Sequence, residues 1–447
     1  MPHPADEGPS PEPTWAIEPV GPLRGEVRIS GAKNAVTKLM VASLLSEEPG
    51  TVTNAPELGD VNLSARMLRS VGAEVEIDRS GEGNRVTVDP KVLTAARLPV
   101  SYTGLNRVPI LLVGPLLHRI GEAFVPLVGG DRIGARPVDY HVAALRQLGA
   151  EVELTEEGLE AKAVHLHGAH IRLPFPSVGA TETVLLSAAT ADGRTTLENA
   201  AVEPEVVELA LFLQRMGARI ELQPDRRFVI EGVPRLTGAN QRLGGDRIEA
   251  FSYLVAGLAT GGRVRIRGCG QDRLVTAIST LQRMGAEFEI DDGGIAASVG
   301  AAGLRPAAVA TATHPGFMTD WQPGLVVLLT QAHGLSVIHE TLFEDRLTYV
   351  DALRAMRAEV ELFDQCLVGK ACRFEATGSL HSALVRGPSA LQGAEVEMPD
   401  IRAAFAYVIA AAVADGRSVL HGVHHLERGY DHALEKFASL GLHITPN

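Results

Sequence analysis

One pattern of apolar and polar positions returns six times along the chain. It reads LRSVGAEVEI up to Ile77, LRQLGAEVEL up to Leu154, LQRMGARIEL up to Leu222, LQRMGAEFEI up to Ile290 and LRAMRAEVEL up to Leu362, and a degenerate FASLGLHI ends at Ile444. Successive copies end 77, 68, 68, 72 and 82 residues apart. In each, apolar residues at helical spacing lead to a turn position, and charged and apolar residues then alternate. The first part predicts an amphipathic helix with one buried face. The glycine, present in five of the six, supplies the left-handed turn that ends it. The alternation predicts a strand. A second phrase stands upstream of most copies: LLSEEPGTVTNAPE, LLSAATADGRTTLENAAVEPE, LVAGLATGGRVRIRGCGQD and VIAAAVADGRSVLHGVHHLER. It predicts a helix, a Gly-centred turn and a strand, so each unit carries two helices and several strands.

These periods exceed the 20–50 residues of ordinary solenoids. A chain of 447 residues suggests two domains of roughly 200 residues, hence three units in each. The helices are rich in alanine and leucine and are expected to be largely buried, with the sheets outside. The longest apolar run, Ala403–Ala414, is far short of the ~20 residues that span a bilayer and reads as a buried helix. Composition is that of an ordinary globular protein, and a net charge of −13 argues against a nucleic-acid or membrane-surface partner. Three cysteines, Cys269, Cys366 and Cys372, fit a reducing cytoplasm and read as structural; Cys366 and Cys372 stand too far apart for a C-x-x-C pair. The acidic, Pro-rich start, residues 1–14, lacks the features of a signal peptide and reads as a disordered tail.

Several stretches carry candidate chemistry. In ISGAKNA, either backbone amides and Lys33 suit an anion and Asn34 a hydroxyl, or the stretch is a plain strand-to-helix turn with a solvated lysine. In VPLVGGDRIGARPVDYH, residues 125–141, glycines let backbone approach a ligand, Arg136 grips a phosphate or carboxylate with two donors, and Asp139 is either a helix cap or a nucleobase ligand. In PSVGATET, Ser177 and the following amides suit a diphosphate or simply cap a helix. In HPGFMTDWQ, Asp320 is either a desolvated general base or a capping residue. Arg107, Arg346, Arg402 and Arg428 are scattered, each a surface or salt-bridge arginine when taken alone. His424, His425 and His432 lack metal-ligand spacing, so no metal is read, and no cofactor.

Taken together and in this order, GAKNA, GARPVD, SVGAT, ENAAVEPE, TDWQ and RGY resemble the UDP-N-acetylglucosamine enolpyruvyl transferase family from about Ile17 to Ile444. The extra sequence near CRFEATGSLHSALVRGPSALQG is similar to the longer members found in actinomycetes. The resemblance implies two inside-out α/β barrels of three units each, residues 33–245 and residues 15–32 plus 246–447, with a cleft between them and a mobile loop at 125–141. It implies that Lys33, Asn34, Arg136, Arg346, Arg402 and Arg428 surround phosphoenolpyruvate. Arg107, Arg136, Pro137, Val138, Asp139, Tyr140, Phe175, Pro176, Ser177, Val178, Asp320 and Leu342 would line the uridine nucleotide. The implied reaction moves the enolpyruvyl group to a sugar hydroxyl and releases phosphate.

Lys33, Arg428, Asp320 and Asp131 are the expected catalytic set. Asp320 takes the proton of the attacking hydroxyl, and Asp131 stands where most members of the family carry a cysteine acid. An aspartate that donates a proton has to be held neutral, and the substrate phosphate beside it favours that form. Fosfomycin, which resembles phosphoenolpyruvate and alkylates that cysteine, is expected to spare this chain. Two further readings compete: transfer to the ribose 3′-hydroxyl of UMP, as in relatives that serve peptidyl-nucleoside antibiotics, and a non-catalytic uridine-nucleotide binder. The extra stretch 374–390 reads as a surface loop or hairpin near the cleft, and its role is open.

Overall fold

The structure, a computed structural model, describes residues 13–447 apart from Val20, Glu82, Arg132 and Lys370. Each repeat becomes the same unit. In the first, strand Gly50–Ala55 leads to helix Gly59–Ser70 and then to a hairpin of Glu74–Asp78 and Asn84–Asp89. Asn84–Asp89 lies in the middle, antiparallel to its two neighbours. A fourth strand, Asn240–Arg242, joins in parallel from far along the chain. The same strand order recurs in the units built on Arg194–Glu198, Arg263–Arg267 and Gly334–His339. The second unit keeps three strands, with a single parallel bridge from Arg97 to Phe124. In the sixth, the N-terminal strand Trp15–Glu18 takes the middle place, between Ser418–His421 and His443–Pro446.

Five copies of the repeat end their helix on a glycine of positive φ: Gly72, Gly149, Gly217, Gly285 and Gly441. The fifth copy in chain order has Arg357 there, at φ 67°. A side chain in the left-handed region costs about 1–2 kcal/mol, and glycine offsets part of that gain through its freer unfolded chain. Arg357→Gly is therefore expected to stabilise the protein by about 1 kcal/mol, read as a raised denaturation midpoint in urea. The polar residue that follows the repeat's leucine also has a shared job. Arg69, Arg146, Gln214 and Arg354 each donate to the carbonyl of the first inward residue of the following strand, at 2.5, 2.7, 2.6 and 2.9 Å. The clamp fixes the angle between helix and strand and places donors at a helix C-terminus, where orphan carbonyls collect.

The other helix of each unit is the buried one. Every residue of Arg247–Ala259 and nearly every residue of Ile401–Val413 is buried, as expected for helices walled in by sheets. Their side chains sort into two cores. One holds Ala32 to Leu243; the other joins Trp15–Ile29 to Ala250–Leu442. The chain passes between them twice, side by side. Gly31 bridges Gly245, Ala32 N donates to Gly244 O at 2.9 Å, and Asp246 N donates to Ser30 O at 2.8 Å. Asp246 then caps helix Arg247–Ala259 with one carboxylate oxygen and accepts from the Lys33 amide with the other. The two crossings are thereby tied to each other at the first residue of the GAKNA helix.

Some expectations shift in detail. Residues 1–12 of the expected tail lie outside the described residues, and Thr14 exchanges two backbone hydrogen bonds with Asn447. The run read as a helix over Ala403–Ala414 is helical over Ile401–Val413. The stretch 374–390 is not one loop: Ser382–Gly387 is the middle strand of the fifth unit, and the insertion is the turn before it, from 364 to 381. Among the described residues no helix is long and apolar enough to cross a membrane.

Candidate active site

The two crossings open onto a cavity of about 290 Å³ lined from both cores. Helix Lys33–Ala42 starts at its floor, so Lys33 and Asn34 reach it from the first turn. Lys33 Nζ lies 3.0 Å from Asp60, and Arg428 approaches the same carboxylate at 3.5 Å from the other core. Burial pushes the Lys33 ammonium down, and Asp60 only partly restores it. For Asp60 burial pulls upward, but Lys33 and then Arg428 outweigh it and hold the carboxyl low. Asp60 thus keeps two cations together. Asp131 and Arg136 line the same cavity, and the Asp131 carboxylate acts electrostatically on both Lys33 and Arg136.

Asp320 sits in a single helical turn, Thr319–Trp321, and caps nothing. Arg402 and Arg346 approach the same carboxylate oxygen at 3.3 and 3.4 Å, and Arg346 also reaches Asp400 at 3.4 Å. Burial pushes the Asp320 carboxyl up, but Arg402, Arg346 and Arg247 together more than cancel this and hold it below the usual carboxylate range. Its side chain remains 24% exposed, enough to meet a ligand. The two arginines keep spare capacity: Arg402 Nη1 and Arg346 Nε are buried without a partner. The turn itself is held by Glu340, which accepts from Thr319 at 2.8 Å, Thr311 at 3.0 Å and the Leu342 amide at 2.8 Å.

A second pocket of about 250 Å³ adjoins the first and shares Arg107, Arg136, His141, Val178 and Gly179 with it. Its walls include Pro137, Asp139, Tyr140, Phe175, Pro176, Ser177, Leu342, Phe343 and Arg373. The Gly-rich loop separates the two. It rises from strand Glu122–Pro126, ends at helix Asp139–Gln147 and packs against the turn at Gly104, where a Cβ on Gly129 would lie 1.9 Å from the Gly104 carbonyl oxygen. Arg107 donates to the Arg136 carbonyl at 2.9 Å and fixes the far end of the loop. Burial and then the neighbouring Arg136 push the Arg107 guanidinium down to about 10. His141 donates to or accepts from Thr183 at 2.8 Å, and burial pushes it down to about 3, so it stays neutral.

Most of the residues picked out from the sequence are brought together here. Lys33, Asn34, Arg107, Asp131, Arg136, Val178 and Arg428 line the first cavity, and the residues from Arg136 to Tyr140, from Phe175 to Val178 and Leu342 lie at or beside the second, with Val138 packed on the core beneath. Asp320, Arg346 and Arg402 form one ion cluster. Of the alternatives weighed, Asp139 is the first residue of its helix and makes no capping bond. Ser177 does cap, accepting from the Ala180 amide at 3.3 Å. Asp60, His141, Glu182, Glu340 and the buried Arg247–Glu205 pair, bonded at 2.9 and 3.0 Å, were not expected. Burial pushes the Glu182 carboxyl up to about 7. Asp60, Arg247 and Glu340 stand in none of the candidate phrases, and His141, Glu182 and Glu205, which lie in VPLVGGDRIGARPVDYH, PSVGATET and ENAAVEPE, have no spacing that signals a partner.

Known proteins resemble this chain over nearly its whole length. Residues 17–437 match the family described as EPSP synthase (3-phosphoshikimate 1-carboxyvinyltransferase), which sets the class as a carboxyvinyl transferase. The enolpyruvyl transferase NikO from Streptomyces tendae superposes with a TM-score of 0.85 at 26% identity, over 98% of this chain and 99% of that one. The UDP-N-acetylglucosamine 1-carboxyvinyltransferase of Protochlamydia amoebophila is 42% identical over 95% of this chain and 92% of its own, and that of Chlamydia pneumoniae is 43% identical over 95% and 93%. The chain belongs to the UDP-N-acetylglucosamine 1-carboxyvinyltransferase family, and its inside-out α/β fold is that of the enolpyruvyl transferases.

Proposed function

We propose that this protein transfers the enolpyruvyl group of phosphoenolpyruvate to the 3-hydroxyl of UDP-N-acetylglucosamine and releases phosphate, the first committed step of peptidoglycan synthesis. The observation that carries the acceptor is the 42–43% identity along nearly the whole chain to proteins that bear that name. In this reading Lys33, Asn34, Arg136, Arg346, Arg402 and Arg428 hold the phosphate and carboxylate of phosphoenolpyruvate. Cations supplied by both cores suit a doubly anionic substrate, and the two cores act as domains that close on it. The uridine nucleotide lies along the second pocket, between Arg136–Tyr140 and Phe175–Val178, with Leu342 and Arg107 at its ends.

Asp320 accepts the proton of the acceptor hydroxyl as that oxygen attacks C2, while C3 gains a proton. The tetrahedral adduct then loses a C3 proton and phosphate, which restores the enol ether. Asp131, beside Lys33 and Arg136, is the acid that serves protonation or phosphate departure, and the substrate phosphate favours its neutral form. In the free protein Arg346 and Arg402 occupy Asp320. Phosphoenolpyruvate competes for those guanidiniums, so its binding frees the base.

The likeness to NikO supports a second reading, transfer to the 3′-hydroxyl of UMP, with the same base and the same cations. Calorimetric titration in the presence of phosphoenolpyruvate separates the two acceptors. UDP-N-acetylglucosamine is expected to bind at least as tightly as UMP; binding of UMP alone would overturn the first acceptor.

A further inference from the structure

The turn inserted in the fifth unit gathers four ligand-bearing side chains that the reaction does not use. His339 is the last residue of strand Gly334–His339, and His381 immediately precedes its partner strand Ser382–Gly387. Cys366 and Cys372 come from the turn between. The donor atoms of all four lie within 4.8 Å of one another. Cys366 Sγ is 3.5 Å from Cys372 Sγ and 3.5 Å from His381 Nε2. A tetrahedron with zinc–sulfur bonds of 2.3 Å and zinc–nitrogen bonds near 2.0 Å has edges of about 3.3–3.8 Å. A disulfide would need about 2.05 Å between the sulfurs.

Three further features point inward to a ligand. Both histidines are fully buried, and His339 Nε2 has no partner. Each uses its other nitrogen on a backbone carbonyl: His339 Nδ1 on Val368 and His381 Nδ1 on Ser379, at 2.5 and 2.8 Å. That bond fixes the tautomer and turns Nε2 to the centre, as the outer contacts of metal-bound histidines do. The sulfurs accept backbone N–H bonds, Cys366 from Cys372 at 3.3 Å and Cys372 from Phe374 at 3.4 Å.

We propose that His339, Cys366, Cys372 and His381 bind one structural Zn²⁺ that shapes the insertion at the rim of the nucleotide pocket. Four protein ligands close the site and leave no position for a substrate. Binding releases the two thiol protons to solvent as the sulfurs become thiolates. The clip ends next to Arg373, which donates to the Leu342 carbonyl and lies 5.2 Å over the Phe175 ring and 4.7 Å over the Phe374 ring. Arg373 lines the second pocket, so the metal positions a cation for the acceptor nucleotide. This last step rests on the proposed function; the metal site does not.

The test is elemental analysis of protein purified without chelators, joined to a cobalt exchange. One zinc per chain is expected, with Co²⁺ giving the visible spectrum of a tetrahedral site with two sulfur ligands. The double variant Cys366→Ser, Cys372→Ser should lose both while keeping its far-ultraviolet circular dichroism, and its KM for the uridine nucleotide should rise roughly tenfold with the KM for phosphoenolpyruvate little changed. Wild-type protein that is metal-free and takes up no added Zn²⁺, or that shows a Cys366–Cys372 disulfide by mass spectrometry, would overturn the site. Zinc present with an unchanged nucleotide KM in the variant would overturn the positioning role. Metal content and the cobalt spectrum need no turnover, so failure of the proposed reaction would show separately.

Discussion

Asp320→Asn is expected to slow turnover by about two to four orders of magnitude while binding of phosphoenolpyruvate is kept or tightened. Asparagine has the shape of aspartate but cannot take a proton, so the acceptor hydroxyl loses its base. It also ceases to hold Arg402 and Arg346, which then meet the substrate anion without first leaving a carboxylate. A merely structural aspartate would change both constants together, whereas a base shows the split. The pH profile carries the same signature. Burial raises Asp320, but the three arginines outweigh it and leave its carboxyl below the ordinary range. It stays ionised until the pH falls below that depressed value, so its acid limb in kcat/KM lies lower than for a free aspartate. Bound phosphoenolpyruvate draws off the arginines and leaves burial less opposed, so the limb in kcat lies at higher pH. Near-normal turnover of Asp320→Asn, or coincident limbs, would reject this role.

Exchange of Asp131 has the other large effect. The wild type is expected to resist fosfomycin, because a carboxylate opens an epoxide far more slowly than a thiolate does. Asp131→Cys should be inactivated irreversibly, with a mass gain equal to one inhibitor on that residue. Asp131→Asn should release phosphate about a hundredfold more slowly, since an amide has no proton to give at this step. Rapid irreversible inactivation of the wild type, or unimpaired Asp131→Asn, would remove Asp131 from the chemistry. The same loop also carries Arg136, so binding of phosphoenolpyruvate to each variant is the control for a misplaced loop.

What could be read in the sequence was local and periodic. The helix, turn and hairpin of each unit are written in adjacent residues, and a single repeated glycine marks the turn, with Arg357 as the substitute that bears the strain. What completes each sheet is not local. Asn240–Arg242 pairs with a strand some 190 positions earlier, and Trp15–Glu18 closes a unit at the other end of the chain. The motifs found Lys33 and Arg136 because they stand in recognisable glycine-containing phrases, whereas Arg107, Arg346, Arg402 and Arg428 gained a role only through the family resemblance. They missed Asp60 and Glu340, lone acids whose partners arrive only through folding. They missed the Cys and His cluster for a related reason. The cysteines were judged against C-x-x-C, while His339 ends one strand and His381 ends the insertion just before its partner strand, 42 positions further on.

The central claim is that this cleft moves an enolpyruvyl group onto a uridine-linked sugar, and phosphate release measures it most directly. Purified protein incubated with phosphoenolpyruvate should release phosphate when UDP-N-acetylglucosamine is added and should form one equivalent of the enolpyruvyl ether. Release with UMP alone would contradict the acceptor, and release with neither would contradict the transfer itself.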